Sequence, residues 1–329
     1  MSARRWTDPA TIAGAHAFLR DAAASAGRRI TGTIEQPHVR AWSTVFRAPT
    51  DAGDVYLKLC GPSQAHEPAL TALLAATAPA LVPEILAIHP RETWMLLADG
   101  GAKLRDVLAP AERLEVWARI LPRYAELQRS LLGRQDAIRA TGTPDHGSDR
   151  LVSDFRAVLD DERVLVPSSA IFDENARRRL RELLPSIEAR AAELAATGIG
   201  PTVNHDDLHD ANILVASGRA VVFDWGDASL THPFLSLGVA LEFAALRAGV
   251  ATDHPSIARL RDCYLEPWTT TLPRPALTDA AETGARLASL SRALSWHRVI
   301  TLNEGAMDAE PRTIGQYLLQ VVEAFGRSA

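Results

Sequence analysis

The stretch Val203-Asn-His-Asp-Asp-Leu-His-Asp-Ala-Asn-Ile-Leu-Val215, followed by Val221-Val-Phe-Asp-Trp-Gly-Asp227, decides the reading of this chain. Asp207 and Asn212 stand five residues apart on a loop that runs into an apolar segment. Asn212-Ile-Leu-Val215 and Ala220-Val-Val-Phe223 flank Ser217-Gly218, which predicts a short hairpin. Asp224 then falls at the end of the second strand, within reach of both earlier side chains. Phosphoryl transfer needs a carboxylate to orient the attacking hydroxyl. It also needs hard oxygen ligands for magnesium, which Asn and Asp side chains supply.

An Asp-x4-Asn loop, followed twelve residues later by an apolar strand ending in Asp, is the catalytic-loop and metal-loop pattern of kinases. His205-Asp-Asp207-Leu-His209-Asp-Ala-Asn212-Ile-Leu resembles the HxDxxxxN loop of the aminoglycoside-phosphotransferase and choline-kinase-like superfamily. Leu-His follows Asp207 where protein kinases usually carry Leu-Lys or Leu-Arg. Trp225 stands in Phe223-Asp-Trp-Gly226 where they carry Phe. The resemblance spans roughly Ala41 to Glu242. It implies an α+β, bilobal protein-kinase-like fold: a small β-rich lobe with one key helix and a larger, mainly α-helical lobe. It also implies Asp207 as the catalytic carboxylate, Asn212 and Asp224 as magnesium ligands, and His205 as a buried anchor of the loop. ATP or GTP is the implied phosphoryl donor.

The N-terminal third supports this independently. Asp8-Pro9 and the Ala-rich stretch to about Ala26 read as a capped helix. Ile30–Ile34, Thr44–Arg47, Val55–Leu59, Glu84–Ile88 and Trp94–Leu97 read as strands, with a hairpin turn over Pro49–Gly53. A helix is expected from Gln64 to about Ala78. Lys58 sits in the middle of the apolar Val55-Tyr-Leu-Lys-Leu59, where a buried ammonium needs an anionic partner. Triphosphate oxygens and a carboxylate would both serve. Glu67 matches the family's Lys–Glu pair, while Glu84 also lies within plausible reach.

Ala41-Trp-Ser-Thr-Val-Phe-Arg47 occupies the place of the phosphate-covering loop but has no glycine, so Ser43 and Thr44 are the candidate phosphate contacts there. Trp94 to Gly101 reads as the connection between lobes, with Leu97 and Asp99 as nucleotide-site candidates. Met95 and Leu97 suit either an adenine pocket or the core. The expected lobes are residues 1–98 and 99–329. Beyond Gly101 the pattern is helical: Ala111–Leu132, with Pro122 expected to kink or split it, then Val152–Leu159, Asn175–Ala196, Phe234–Ala248 and Thr283–Leu302.

The bulk numbers are those of an ordinary soluble globular protein. In 329 residues, 47% are hydrophobic and 23% charged, with a net charge of −5, which argues against a nucleic-acid partner. No apolar run reaches the roughly 18 residues of a membrane span. No apolar segment follows the basic residues of Met1–Trp6, and Cys60 and Cys263 lack metal spacing, so the cytoplasm is the expected address. Asp210, Asp227, Glu242, Trp296 and Glu304 are the candidates for holding the acceptor, and several carboxylates near one mouth suit a cation. Ser236 stands where many aminoglycoside kinases carry an Asp, which opens the way to a different acceptor. The readings to separate are an antibiotic kinase, a metabolite kinase acting on choline, homoserine, an amino sugar or a fructosamine, and a non-catalytic nucleotide binder. Oligomeric state is left open.

Overall fold

The computed structural model describes residues 4–147, 149–310 and 312–326. Its first part is built on a five-stranded antiparallel sheet of β1 (Glu35–Val39), β2 (Ser43–Ala48), β3 (Val55–Cys60), β4 (Ile85–Ile88) and β5 (Trp94–Ala98). The order across the sheet is β1-β2-β3-β5-β4. In the central strand β3, Val55, Leu57 and Leu59 are fully buried on one face, packed with Phe46 and Leu96. The helix Pro9–Ser25 closes that face through Ala15, Leu19 and Ala23. Its start is set by Asp8, whose carboxylate accepts from the Thr11 amide at 2.9 Å, with Pro9 at the first helical position. Period-two alternation therefore turns Tyr56 and Lys58 to the opposite face.

The strand expected at Ile30–Ile34 is absent. Ile30 makes only an isolated bridge to Thr50, and the strand begins at Glu35 instead. β1 reads poorly as a strand because it carries Pro37 and polar residues, features tolerated at an edge, which is where it lies.

The rest of the chain is mostly helical, as expected. The helix Pro110–Ser130 runs through Pro122 without a break. Burial of Val116, Trp117, Ile120, Leu121, Tyr124 and Leu127 along one side outweighs the lost hydrogen bond of a proline. The segment from Gln135 to Ser168 forms the short helices Gln135–Ala140, Leu151–Val158 and Glu162–Ser168. The last long helix starts earlier than its pattern suggests and covers Arg274–Leu302. It packs against the helices Leu151–Val158, Glu174–Ala195, Ser236–Ala248 and Thr313–Gly326. The core they enclose includes Trp117, Tyr124, Trp225, Phe234, Tyr264 and Trp268, all at most 1% exposed. Among the described residues no helix is long and apolar enough to cross a membrane.

Five short strands carry the site. β6 (Ala102–Lys103), β8 (Ile213–Ala216) and β9 (Arg219–Val222) form a small sheet, and β7 (Thr202–Asn204) pairs with β10 (Ser229–Thr231). β7 leads into the loop containing Asp207, and β9 leads out to Asp224. Gly101 makes the crossing to β6 possible: its φ is +104°, and a Cβ there would lie 2.3 Å from the Val215 carbonyl oxygen.

Candidate active site

The face of β3 turned away from the small core brings Lys58 to the centre of the site. Its ammonium lies 2.6 Å from the Glu67 Oε2 and 2.5 Å from the Asp224 Oδ1. Glu67 is the first residue of the helix Glu67–Thr77 and is completely buried. Of the two carboxylates within sequence reach of Lys58, Glu67 is the partner, while Glu84 pairs with Arg28 at 3.6 Å. Burial works against the Lys58 ammonium, but the charges of Asp224 and Glu67 overcome it and raise its pKa. Burial likewise pushes the Glu67 carboxyl up to about 7, against the pull of Lys58.

Asp224 has φ 65° and ψ 61°, a left-handed turn that swings its side chain off the end of β9 toward Lys58. Burial pushes its carboxyl up and the neighbouring ammonium more than reverses this, leaving it below its ordinary value. Gly226 follows because nothing larger fits: a Cβ would come within 2.5 Å of the Gln64 side chain and 2.9 Å of the Glu67 Oε2.

Asp207 is held from both sides. Asn212 donates its Nδ2 to the Asp207 backbone carbonyl at 2.9 Å and to the Asp207 Oδ2 at 3.1 Å. With that nitrogen engaged inward, the Asn212 amide oxygen is left for another ligand. His209 Nε2 stands 3.4 Å from the same Oδ2, and Arg292 lies 3.0 Å from the Oδ1. Burial would raise the Asp207 carboxyl, but Arg292 and His209 hold it down at about 2. It is a carboxylate at any working pH.

The loop rests on a buried polar scaffold. His205 is fully buried and pairs through Nε2 with the Phe223 carbonyl at 2.9 Å, tying the Asp207 loop to the strand before Asp224. Its amide donates to the Tyr124 hydroxyl at 3.0 Å. Asp206, at φ 60°, turns inward and accepts from Asn204 Nδ2 at 2.7 Å and from the Ser229 hydroxyl. Ser236 is 3% exposed and joins Asn204, Tyr124 and Gln128 in this same network. Position 236 therefore supports the loop from behind and does not face an acceptor.

Several expected contacts have other partners. The Thr44 hydroxyl donates to the His38 carbonyl at 2.7 Å and accepts from Gln36, so it is committed within the sheet, and Ser43 is buried beside it. Asp99 is exposed and its carboxylate accepts from the Gly101 amide at 2.9 Å, closing the turn between the two parts. Leu97 is half-buried on β5, next to the buried Met95 and Leu96. Asp210 is 2% exposed and neutralised by Arg105 at 2.8 Å and Arg113 at 3.4 Å. Asp227 pairs with Arg292 at 2.9 Å. Trp296 is half-buried with its ring edge-on to Trp42, centroids 5.5 Å apart. Glu242 and Glu304 are exposed, the first on the helix Ser236–Ala248 and the second just after Leu302.

Sequence reasoning missed Arg292, Arg105 and Arg113. No local pattern marks an arginine on a helix far from the loop as its partner, and only the fold brings them together.

A sheet with a central lysine, a helix glutamate paired to it, and two acidic loops joined by a hairpin define a kinase-like phosphotransferase. The chain belongs to the phosphotransferase enzyme family, whose model matches residues 34–277. It is an enzyme that transfers a phosphoryl group to a hydroxyl of a small molecule. Among solved structures it is similar to a choline/ethanolamine kinase family protein from Mesorhizobium loti, at 20% identity and a TM-score of 0.58, covering 96% of this chain and 92% of that one. A macrolide 2'-phosphotransferase from Brachybacterium faecium is similar at 21% identity and a TM-score of 0.56, covering 91% and 97%. A spectinomycin phosphotransferase solved with ADP and spectinomycin is similar at 12% identity and a TM-score of 0.55, covering 94% and 97%. At these identities the likeness establishes the fold. A sequence search of curated proteins finds no match.

Proposed function

We propose that this enzyme moves the γ-phosphate of ATP, or of GTP, onto a hydroxyl of a small metabolite, in a cleft between lobes of residues 1–98 and 99–329. The observation that carries the reading is the convergence of Lys58, Glu67 and Asp224 on one side with Asp207 and Asn212 on the other. Lys58 would meet the phosphates of the nucleotide, anchored meanwhile by Glu67. The free amide oxygen of Asn212 and the partly exposed carboxylate of Asp224 fit a magnesium ion that takes its remaining ligands from phosphate and water. Magnesium, when bound, neutralises the charge that develops between the β- and γ-phosphates.

Asp207 orients the acceptor hydroxyl in line with the γ-phosphorus. The new O–P bond forms as the bond to the bridging oxygen breaks, and the nucleoside diphosphate leaves with that electron pair. A carboxylate held near 2 is too weak a base to remove an alcohol proton early. The proton therefore departs late, through Asp207 to solvent, in keeping with a loose transition state.

A metabolite acceptor is favoured over a polycationic aminoglycoside because Asp210 and Asp227 already have arginine partners. Both would otherwise be the carboxylates offered to an ammonium group. The cytoplasm, where ATP is abundant and Cys60 and Cys263 would stay reduced, is the proposed address. The test is calorimetric titration of nucleotide with and without magnesium. Magnesium should tighten nucleotide binding to the wild type by about tenfold or more, equal to roughly 1.4 kcal/mol, and Asp224→Ala should abolish that gain. An equal magnesium effect in the variant would remove Asp224 from the metal site.

A further inference from the structure

Arg292 lies on the helix Arg274–Leu302, 85 residues after Asp207, and is 4% exposed. Its guanidinium is a fork between two loops. Nη2 reaches the Asp207 Oδ1 at 3.0 Å, and Nη1 reaches the Asp227 Oδ2 at 2.9 Å. The fork itself is fixed by Tyr317 of the helix Thr313–Gly326: the tyrosine hydroxyl accepts from Nη2 at 3.2 Å, and the cation lies 5.1 Å from the ring centroid.

We infer that Arg292 is a positioning residue for phosphoryl transfer, holding the catalytic loop and the metal loop in register by bridging Asp207 to Asp227. Asp207 follows β7, and Asp227 follows Asp224 by three residues. The angle at which a hydroxyl approaches the phosphorus depends on where these two loops stand relative to each other. The His205 ring ties the first loop to the backbone leading into the second, through the Phe223 carbonyl. Arg292 ties Asp207 and Asp227 together through their side chains.

Three features favour this role over simple charge compensation. A planar guanidinium fixes both direction and distance to each carboxylate, which a point charge does not. The two ends of the Asp207 carboxylate are held by different elements: Oδ1 by Arg292, and Oδ2 by Asn212 and His209. This fixes the plane of the group while a quarter of the side chain stays exposed for a substrate hydroxyl. Burying the guanidinium also has a cost, because its Nε has no hydrogen-bond partner among the described residues. A helix filling space at this position would be served by an apolar side chain.

The inference rests on Asp207 being the reacting carboxylate, so the test carries its own control. Slow hydrolysis of ATP, with water as acceptor, would be measured for wild type, Asp207→Asn, Arg292→Met, Arg292→Lys and the Asp207→Asn/Arg292→Met pair. Magnesium–ADP affinity and thermal stability would be measured for each. Arg292→Met is expected to lower kcat by about 100-fold, the order of effect of a 1 Å misplacement, with KM and ADP affinity within about threefold of wild type. Arg292→Lys should recover part of the loss, because an ammonium can reach one carboxylate but not both. The double variant should be no slower than Asp207→Asn alone. An Arg292→Met kcat close to wild type would overturn the inference. So would a loss that multiplies with Asp207→Asn, or one that falls in step with ADP affinity and melting temperature. Equal rates for wild type and Asp207→Asn would instead sink the functional reading beneath it.

Discussion

Asp207→Asn is expected to lower turnover by about 10²- to 10⁴-fold while leaving nucleotide affinity near that of the wild type. The substitution keeps size and most hydrogen bonding but removes the charge proposed to orient the hydroxyl. It also puts an amide where Arg292 Nη2 and Asn212 Nδ2 both require an acceptor oxygen. The amide satisfies one of these donors and opposes the other, so the loop loses its orientation along with its charge. The effect should appear in kcat, because the proposed mechanism puts Asp207 on the acceptor side of the reaction and Lys58 on the nucleotide side. Initial rates of ADP release over a range of ATP concentrations separate the two. A variant that raises KM for ATP with kcat intact would move Asp207 out of the reacting position.

Lys58→Met is the second large effect, and it should be felt in both activity and stability. Removing the ammonium would delete the proposed phosphate contact and would free Asp224 from the Lys58 cation 2.5 Å away. A loss of about 10²- to 10³-fold in kcat/KM is the scale for one preorganised electrostatic contact. Among the described residues, the fully buried Glu67 is then left with the Cys60 thiol, 3.4 Å from its Oε2. With burial pushing it to about 7 even beside Lys58, this carboxyl goes higher still when the cation is gone. A carboxyl whose pKa is raised on folding favours the folded state at low pH and loses that contribution as pH rises through the raised value. The stability deficit of Lys58→Met should therefore be small near pH 5.5 and grow toward pH 8.5. Urea unfolding at the two pH values checks this. A deficit independent of pH would mean that Glu67 is not left stranded.

The loop half of the candidate site was legible in the sequence because its residues sit in two short contiguous loops. Asp207, Asn212 and Asp224 are linked by a hairpin whose pattern and turn residues are local. Lys58 was visible as a charge in an apolar strand, and the choice of Glu67 over Glu84 needed the sheet and helix in place. The edge strand Glu35–Val39 was hidden by its proline and polar residues. The unbroken Pro110–Ser130 helix was hidden because tertiary burial overrides a local breaker. The acceptor side resisted for a different reason. Asp210 and Asp227 read as free charges in one dimension, and only packing reveals Arg105, Arg113 and Arg292 as their partners. Ser236 read as a missing acceptor contact, whereas its position is buried behind the loop.

The most direct test of phosphoryl transfer to a small-molecule hydroxyl is mass-spectrometric detection of a phosphorylated acceptor. Wild type and Asp207→Asn would each be incubated with ATP, magnesium and a panel of aminoglycosides, macrolides, amino sugars, choline, homoserine and fructosamines. The expected result is a phosphoester on an uncharged or singly charged acceptor, formed by wild type with matching ADP release and lost in Asp207→Asn. Phosphorylation confined to polycationic aminoglycosides would contradict the acceptor class, and a product formed equally by the Asp207→Asn variant would contradict the site itself.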